Sequence, residues 1–291
     1  MSKGVVLFVS LIVCLTYAIT SYADQDITAQ KVTQAPVIDG NGADEVWGKS
    51  TEYTTFDAVA KINMALKAVY TDREIFFLVS YPDPDRSVTH KTWEWDKTTG
   101  MYKTGPDRED VFTFKWNMEF HPVDLSLQSD NDYTADIWFW KANRSDPVGY
   151  ADDKFDRVSS IPISKSAEFS SRSGKKMYMR REGDSGDAAA KETLYEEYKQ
   201  DMMPGFMSAT PSGSRADIKA KGAWGDGRWT IEFRRALNTG HNDDVQFDTS
   251  QTYLFGVSRY EIAGRKLDST IHEPLFGCGD VSEGLTLKFG K

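Results

Sequence analysis

Lys141 ends a segment in which Ala135, Ile137, Phe139 and Lys141 alternate with Asp136, Trp138 and Trp140. Strand side chains point to opposite faces with period 2, so this lysine shares a face with apolar neighbours. Such a lysine either turns its ammonium to solvent from the strand end or is buried, which lowers its pKa towards the neutral amine that can bind a metal. His272, in the loop segment Ser269–Pro274, has Glu273 beside it as an acceptor for a ring N–H, the pattern of a metal-binding imidazole. Met118 offers a soft thioether, although its alternation with Trp116 and Phe120 equally suits core packing. His121 follows at the same strand end, and His90 and His241 sit in patternless loops and read as surface. Asp152-Asp153 and Asp243-Asp244 lack the alternating oxygen ligands of a calcium loop and read as solvated turns.

Several chemistries are excluded. There is no nucleophile elbow, no paired acid–base motif and no nucleotide-binding loop, so the chain reads as a binding or electron-transfer protein rather than an enzyme. Cys278 is the one cysteine after the N-terminal segment, so no internal disulfide forms there. No Cys-x-x-Cys-His exists for covalent haem attachment, and no Cys/His spacing suits zinc. The formal net charge is -9 and no basic cluster tracks a phosphate backbone, so nucleic acid is not an expected partner.

Residues 1–23 read as a secretory leader. Lys3 precedes the apolar run Val5–Tyr17, and Ser21-Tyr22-Ala23 supplies a small-x-small cleavage site. The run is shorter than the ~20 residues of a membrane span. The expectation is an exported chain, residues 24–291, folded as one domain with no membrane span.

The elements that must position these residues are mostly strands. Lys61–Tyr70 and Glu74–Tyr81 alternate on either side of Thr71-Asp72-Arg73, a hairpin signal. Arg86–Arg108 reads as a long loop carrying Trp93 and Trp95, which could serve as exposed platforms for a sugar. Asp110–Phe120 alternates, with Phe112, Phe114, Trp116, Met118 and Phe120 on one face and Thr113, Lys115, Asn117 and Glu119 on the other. Ser159–Gly186 reads as a polar insertion. The spacing of Leu194, Tyr195, Tyr198 and Met202 predicts a helix over Asp187–Met203. Strands are expected at Ala216–Lys221, Arg228–Phe233, Thr252–Tyr260 and Gly284–Phe289. Many short strands with turns between them predict an all-β fold: an antiparallel β-sandwich or flattened barrel, with one or two short helices in insertions.

Several segments, in this order, resemble the haem-binding domain of the γ subunits of ethylbenzene dehydrogenase, dimethylsulfide dehydrogenase and chlorate reductase. They are Ala35–Trp47 (PVIDG…DEVW), Lys67–Asp85 (KAVYTDREIFFLVSYPDPD), Glu109–Trp116 (EDVFTFKW), Asp136–Asp153 (DIWFWKANRSDPVGYADD), Gly227–Leu237 (GRWTIEFRRAL) and Leu254–Tyr260 (LFGVSRY). The resemblance implies a periplasmic β-sandwich that holds one non-covalent b-type haem at its loop edge. In that family a lysine and a methionine hold the iron, and the haem passes electrons between a molybdenum enzyme and a cytochrome. The family's lysine matches Lys141. Its methionine lies shortly before the Trp-x-Trp-Lys motif, where Val123–Asn131 here contains none, leaving His272 and Met118 as candidates for the second ligand. Trp116, Trp138 and Trp140 are candidates to flank the porphyrin; the alternative is that they fill the space between the sheets. A molybdoenzyme or multihaem cytochrome is the partner so implied. Family 9 carbohydrate-binding modules begin with a similar segment, so a sugar-binding module is the rival reading, beside a haem-free structural subunit on the same scaffold.

Overall fold

The computed structural model describes residues 25–58, 60–260, 281 and 283–291. The leader expected at 1–23 lies outside them.

β1 (Gln25–Lys31) is followed by a 3-10 turn, Glu45–Lys49, that buries Trp47. Then come β2 (Tyr53–Asp57), β3 (Ile62–Tyr70) and β4 (Glu74–Pro82). β3 and β4 form the expected hairpin, with Tyr70 opposite Ile75. Pro82 is the last residue of β4, where a missing ladder donor costs least.

Residues 86–108 are not one loop: β5 (Trp93–Asp96) and β6 (Met101–Thr104) pair as a hairpin. The central strands are β7 (Val111–Asn117) and β8 (Tyr133–Lys141); β9 (Asp152–Ser159) follows. The polar insertion also folds as strands, β10 (Ala167–Ser170) and β11 (Lys176–Gly183).

The helix expected over 187–203 is absent. Its place is taken by β12 (Ala190–Glu192) and β13 (Met202–Met203), which pair with β14 (Phe206–Ser208) and β5 respectively. The apolar stripe is not buried in the core, since Leu194 and Tyr198 are exposed. A helix draws most of its stability from burying such a stripe. The chain ends with β15 (Lys219–Gly225), β16 (Arg228–Ala236), β17 (Tyr253–Tyr260) and β18 (Leu285–Phe289), close to expectation.

Two sheets stack. One runs β10-β11-β9-β8-β7-β17-β18-β1 and the other β1-β3-β4-β16-β15, with β2 also on β3. β1 belongs to both, because Gln25–Ala29 pairs with β18 while Gln30 and Lys31 pair with β3. The opposite side is closed by the segment after β8, where Tyr150 bridges Lys219 and Ala151 donates to the Ile218 carbonyl at 3.1 Å. The result is the β-sandwich, flattened towards a barrel, that the strand pattern predicts.

Aromatic rings fill the interior. Phe77 of one sheet lies 4.8 Å from Phe114 and 5.9 Å from Trp138 of the other, and Phe114 lies 5.1 Å from Phe233. These centroid separations fall in the favourable range for tilted and edge-on pairs. The outer face of the first sheet is covered too. Leu125 and Leu127, from the connection between β7 and β8, fold back over Tyr133, Ile137 and Phe139. That cover buries Thr113 and Lys115, which the alternation alone assigns to a polar face. Lys115 Nζ donates to the Tyr133 hydroxyl at 2.7 Å.

Candidate functional site

Lys141 lies at the end of β8 on its outer face, as the alternation requires, and it is buried. Its Nζ forms an ion pair with Asp152 Oδ2 at the start of β9 and sits 4.7 Å from the Phe139 ring centroid. Asp152 is shared: Lys154 Nζ lies 3.5 Å from Oδ2, and Arg215 reaches Oδ1 with Nη2 at 2.5 Å and Nε at 3.1 Å. Burial, followed by the charge of Lys154, pulls the Lys141 pKa down to about 7. Burial also works to raise Asp152, but Lys141, Lys154 and Arg215 together hold it well below the usual carboxylate range.

A haem ligand needs a free lone pair facing a flat apolar slot. Here the amine faces Asp152, and the space around it is taken by Phe139 and the cations that share the carboxylate. In this structure the family's lysine position is engaged in an ion pair with Asp152.

The tryptophans do not flank Lys141 either. Trp138 and Trp140 occupy the opposite, inner face of β8, and Trp116 meets them from β7; all three are fully buried in the core between the sheets. Trp140 donates to Asp146 Oδ1 at 2.9 Å and packs 4.8 Å from Trp229. Gly222 passes beneath it so closely that a Cβ there would come within 2.5 Å of the ring. Their role is the space-filling one.

Met118 and Lys141 are at opposite ends of the sheet. Val111 is the register partner of Lys141, and Met118 lies seven positions further along. At a rise of ~3.3 Å per residue this separates them by roughly 23 Å, too far to share one iron. His272 lies outside the described residues.

Met118 instead lines a cleft of about 780 Å³ with Phe120, His121, Tyr253 and Leu254 as its apolar and aromatic neighbours and Glu119 and Asp244 as its acids. The turn there is organised by Asn117, whose amide donates to the carbonyls of His121 (2.9 Å) and Glu119 (3.3 Å) and accepts from Glu119 N (3.0 Å). Glu119 is fixed in turn by Thr134 N at 2.7 Å. β7 stops at Asn117, so Phe120 leaves the core face expected for it and stands fully in solvent, at 108% relative exposure. The cleft beside this exposed phenyl group mixes its apolar residues with Gln246, Gln251, Thr252 and Thr286.

The cleft volume is that of a small-molecule site. A thioether and an imidazole are both established donors to haem iron. The donor chemistry at this end of the sheet is compatible with haem iron. Sequence reading finds Met118 and His121 but misses Tyr253 and Leu254, which reach the cleft from β17 with no local signal.

Trp93 and Trp95 are not open platforms. Trp95 packs edge-on against Tyr102 (5.0 Å) and Tyr198 (5.2 Å), and the Trp93 indole donates to the Thr193 carbonyl at 3.0 Å. His90, expected at the surface, is mostly buried, and burial followed by the charge of Arg144 lowers its pKa to about 3.

The sequence matches the ethylbenzene dehydrogenase family over residues 27–268. The chain belongs to that family. The match takes in every strand from β2 to β17, including both ends of the β7–β8 pair. At family level this is a haem-binding, electron-transfer type of subunit, a non-catalytic component of multi-subunit molybdoenzymes. No curated protein matches the chain. Among solved structures it is similar to a family 9 carbohydrate-binding module from Caldicellulosiruptor kristjanssonii in complex with glucose, at 14% identity and a TM-score of 0.39, covering 91% of this chain and 96% of that one. The same module with cellotriose gives 13% identity and a TM-score of 0.37, covering 92% and 95%. A putative carbohydrate-binding protein from Bacteroides uniformis gives 12% and 0.40, covering 91% and 99%. Among the described residues no helix is long and apolar enough to cross a membrane.

Proposed function

We propose that this chain is an exported, periplasmic electron-transfer subunit that holds one non-covalent b-type haem in the cleft at the Met118 end of the sandwich. The observation that carries this reading is the meeting of Met118 and His121 in one cleft of a chain whose family binds haem. When bound, the haem supplies a one-electron redox couple. Met118 or His121 would hold the iron, with Asn117 fixing the backbone on which the imidazole is carried. Phe120, Tyr253 and Leu254 exclude water from one porphyrin face. Lys141 keeps a structural role with Asp152. The partner is a redox protein, such as a molybdoenzyme or a multihaem cytochrome, and the acidic chain favours a basic docking surface with salt-sensitive association.

Purified protein, or protein titrated with haemin, should give a sharp Soret band and reducible α/β bands. Met118→Ala and His121→Ala should shift the low-spin spectrum, while Lys141→Met should leave it unchanged; His272→Ala completes the set of sequence candidates. A colourless protein that takes up no haemin overturns the reading. A spectrum that moves with Lys141 alone overturns the position of the site.

A further inference from the structure

Of the two Asp-Asp pairs that read as solvated turns, Asp152, Asp153 and Asp244 are buried. Asp153, at the start of β9, and Asp244, in the connection after β16, are buried and converge inside the sandwich on Asp136 of β8. One carboxylate oxygen from each of the three lies within 4.8 Å of the other two. Asp184, just after β11, joins them through its backbone, donating N–H to the Asp153 carbonyl at 3.3 Å. Asp136 and Asp153 are fully buried, and Asp184 and Asp244 are 5% exposed.

Some of these oxygens are satisfied. Asp136 Oδ2 accepts from Arg235 Nη1 at 2.6 Å and from Val245 N at 3.0 Å, and Asp153 Oδ1 accepts from Lys154 N at 3.1 Å. Six are not: Asp136 Oδ1, Asp153 Oδ2 and both oxygens of Asp184 and of Asp244 are buried and have no hydrogen-bond partner. Four carboxylates thus face one guanidinium. Buried acids short of positive charge must either hold protons or bind a cation.

The geometry favours the cation. Oxygens of Asp136, Asp153 and Asp244 come from three separate segments to within 4.8 Å of one another, about twice the ~2.4 Å calcium–oxygen distance. Asp136 Oδ1, Asp153 Oδ2 and both oxygens of Asp244 are orphaned ligands within this group, and the orphaned carboxylate of Asp184, whose backbone adjoins Asp153, stands next to complete calcium's coordination number of about 6–8. The donor set is all oxygen, which disfavours zinc, and magnesium demands a tighter octahedron with retained waters. Asp244 also lines the cleft at the Met118 end, which gives an ion its path in.

We propose that Asp136, Asp153, Asp184 and Asp244 bind one calcium ion, which ties β8 and β9 to the connections that follow β11 and β16. The ion replaces the protons that the empty cluster must carry. In that empty cluster burial and then the neighbouring carboxylates push Asp184 up to about 8, and burial and then Asp136 push Asp244 to about 7.

The test uses the full mature chain stripped with EDTA. Terbium should bind once per chain with luminescence sensitised through Trp138, two residues from Asp136, and calcium should displace it. Calcium at about one hundred times its Kd should raise Tm by roughly 5–10 °C, magnesium much less. Asp153→Asn and Asp244→Asn should abolish the calcium-dependent shift. If the stripped wild type shows neither sensitised terbium nor a calcium-dependent Tm, the proposal falls, and this reading needs no variant to fold. It falls equally if Asp153→Asn raises Tm and calcium changes nothing, the behaviour of a cluster held by shared protons. None of these readings uses a haem band, so they stand or fall apart from the haem reading.

Discussion

Arg235 of β16 reaches across the sandwich and donates to Asp136 of β8 at 2.6 Å, with both side chains fully buried. Its guanidinium also lies 4.8 Å from the Trp138 ring and 4.9 Å from that of Phe247, and Nη2 donates to the Val245 carbonyl. Removing the cation leaves a buried carboxylate unpaired. Arg235→Leu should therefore cost about 3–5 kcal/mol in urea unfolding. Arg235→Lys should recover little, because an ammonium cannot reproduce the planar fork. A neutral Arg235→Leu would contradict this account of the pair.

Glu232 explains why the Pro36–Gly40 segment and Trp47 go together. Its Oε2 accepts from Gly40 N at 2.7 Å and Asp39 N at 3.0 Å, and its Oε1 accepts from the Trp47 indole at 2.9 Å. Glu232→Ala orphans these donors and should cost roughly 3 kcal/mol. Burial raises the Glu232 pKa, and Glu232→Gln keeps one acceptor oxygen but sets an NH2 donor against the remaining N–H groups, so it should recover only part of the loss. Equal losses in chemical denaturation would count against the anchoring role.

Lys141 makes a pH prediction. Its pKa is about 7 in the folded protein against 10.5 for an ordinary lysine amine, so between these values the unfolded chain binds more protons. Stability from this residue is full above pH 10.5 and is lost as pH falls towards 7, at no more than ~1.4 kcal/mol per unit. The stability difference between wild type and Lys141→Met should therefore grow from pH 7 to pH 10. A flat difference would mean that Asp152 keeps the ammonium charged throughout.

Asp110 behaves in the opposite sense. It accepts from the Trp229 indole at 2.9 Å and Ser87 N at 2.8 Å, yet burial raises its pKa to about 6 from 3.8. The folded state holds the proton more tightly, so stability from this group falls as pH rises from about 4 to about 6. Asp110→Asn should gain on the wild type over that interval. Parallel stability curves between pH 4 and 7 would refute it.

The strands and their inward faces were legible in the sequence, because period-2 alternation in β3, β4, β7, β8 and β16 is a local signal that tertiary packing did not override. The failures have specific causes. The 187–203 stripe had helical spacing but no core to meet. Phe120 kept the alternation of β7 beyond the residue where Asn117 turns the chain.

The sequence by itself determined the all-β sandwich, the family to which the chain belongs and the alternating face on which Lys141 sits. Only the tertiary structure decided that Asp152 meets that lysine, that Met118 opens into a cleft with His121 and Tyr253, and that Asp136, Asp153, Asp184 and Asp244 converge. The reason is physical. Strand periodicity is written in neighbouring residues, whereas a buried charge finds its partner across 99 residues for Arg235 and Asp136 and 192 for Glu232 and Gly40, through pairings fixed by sheet register and by the stacking of one sheet on the other.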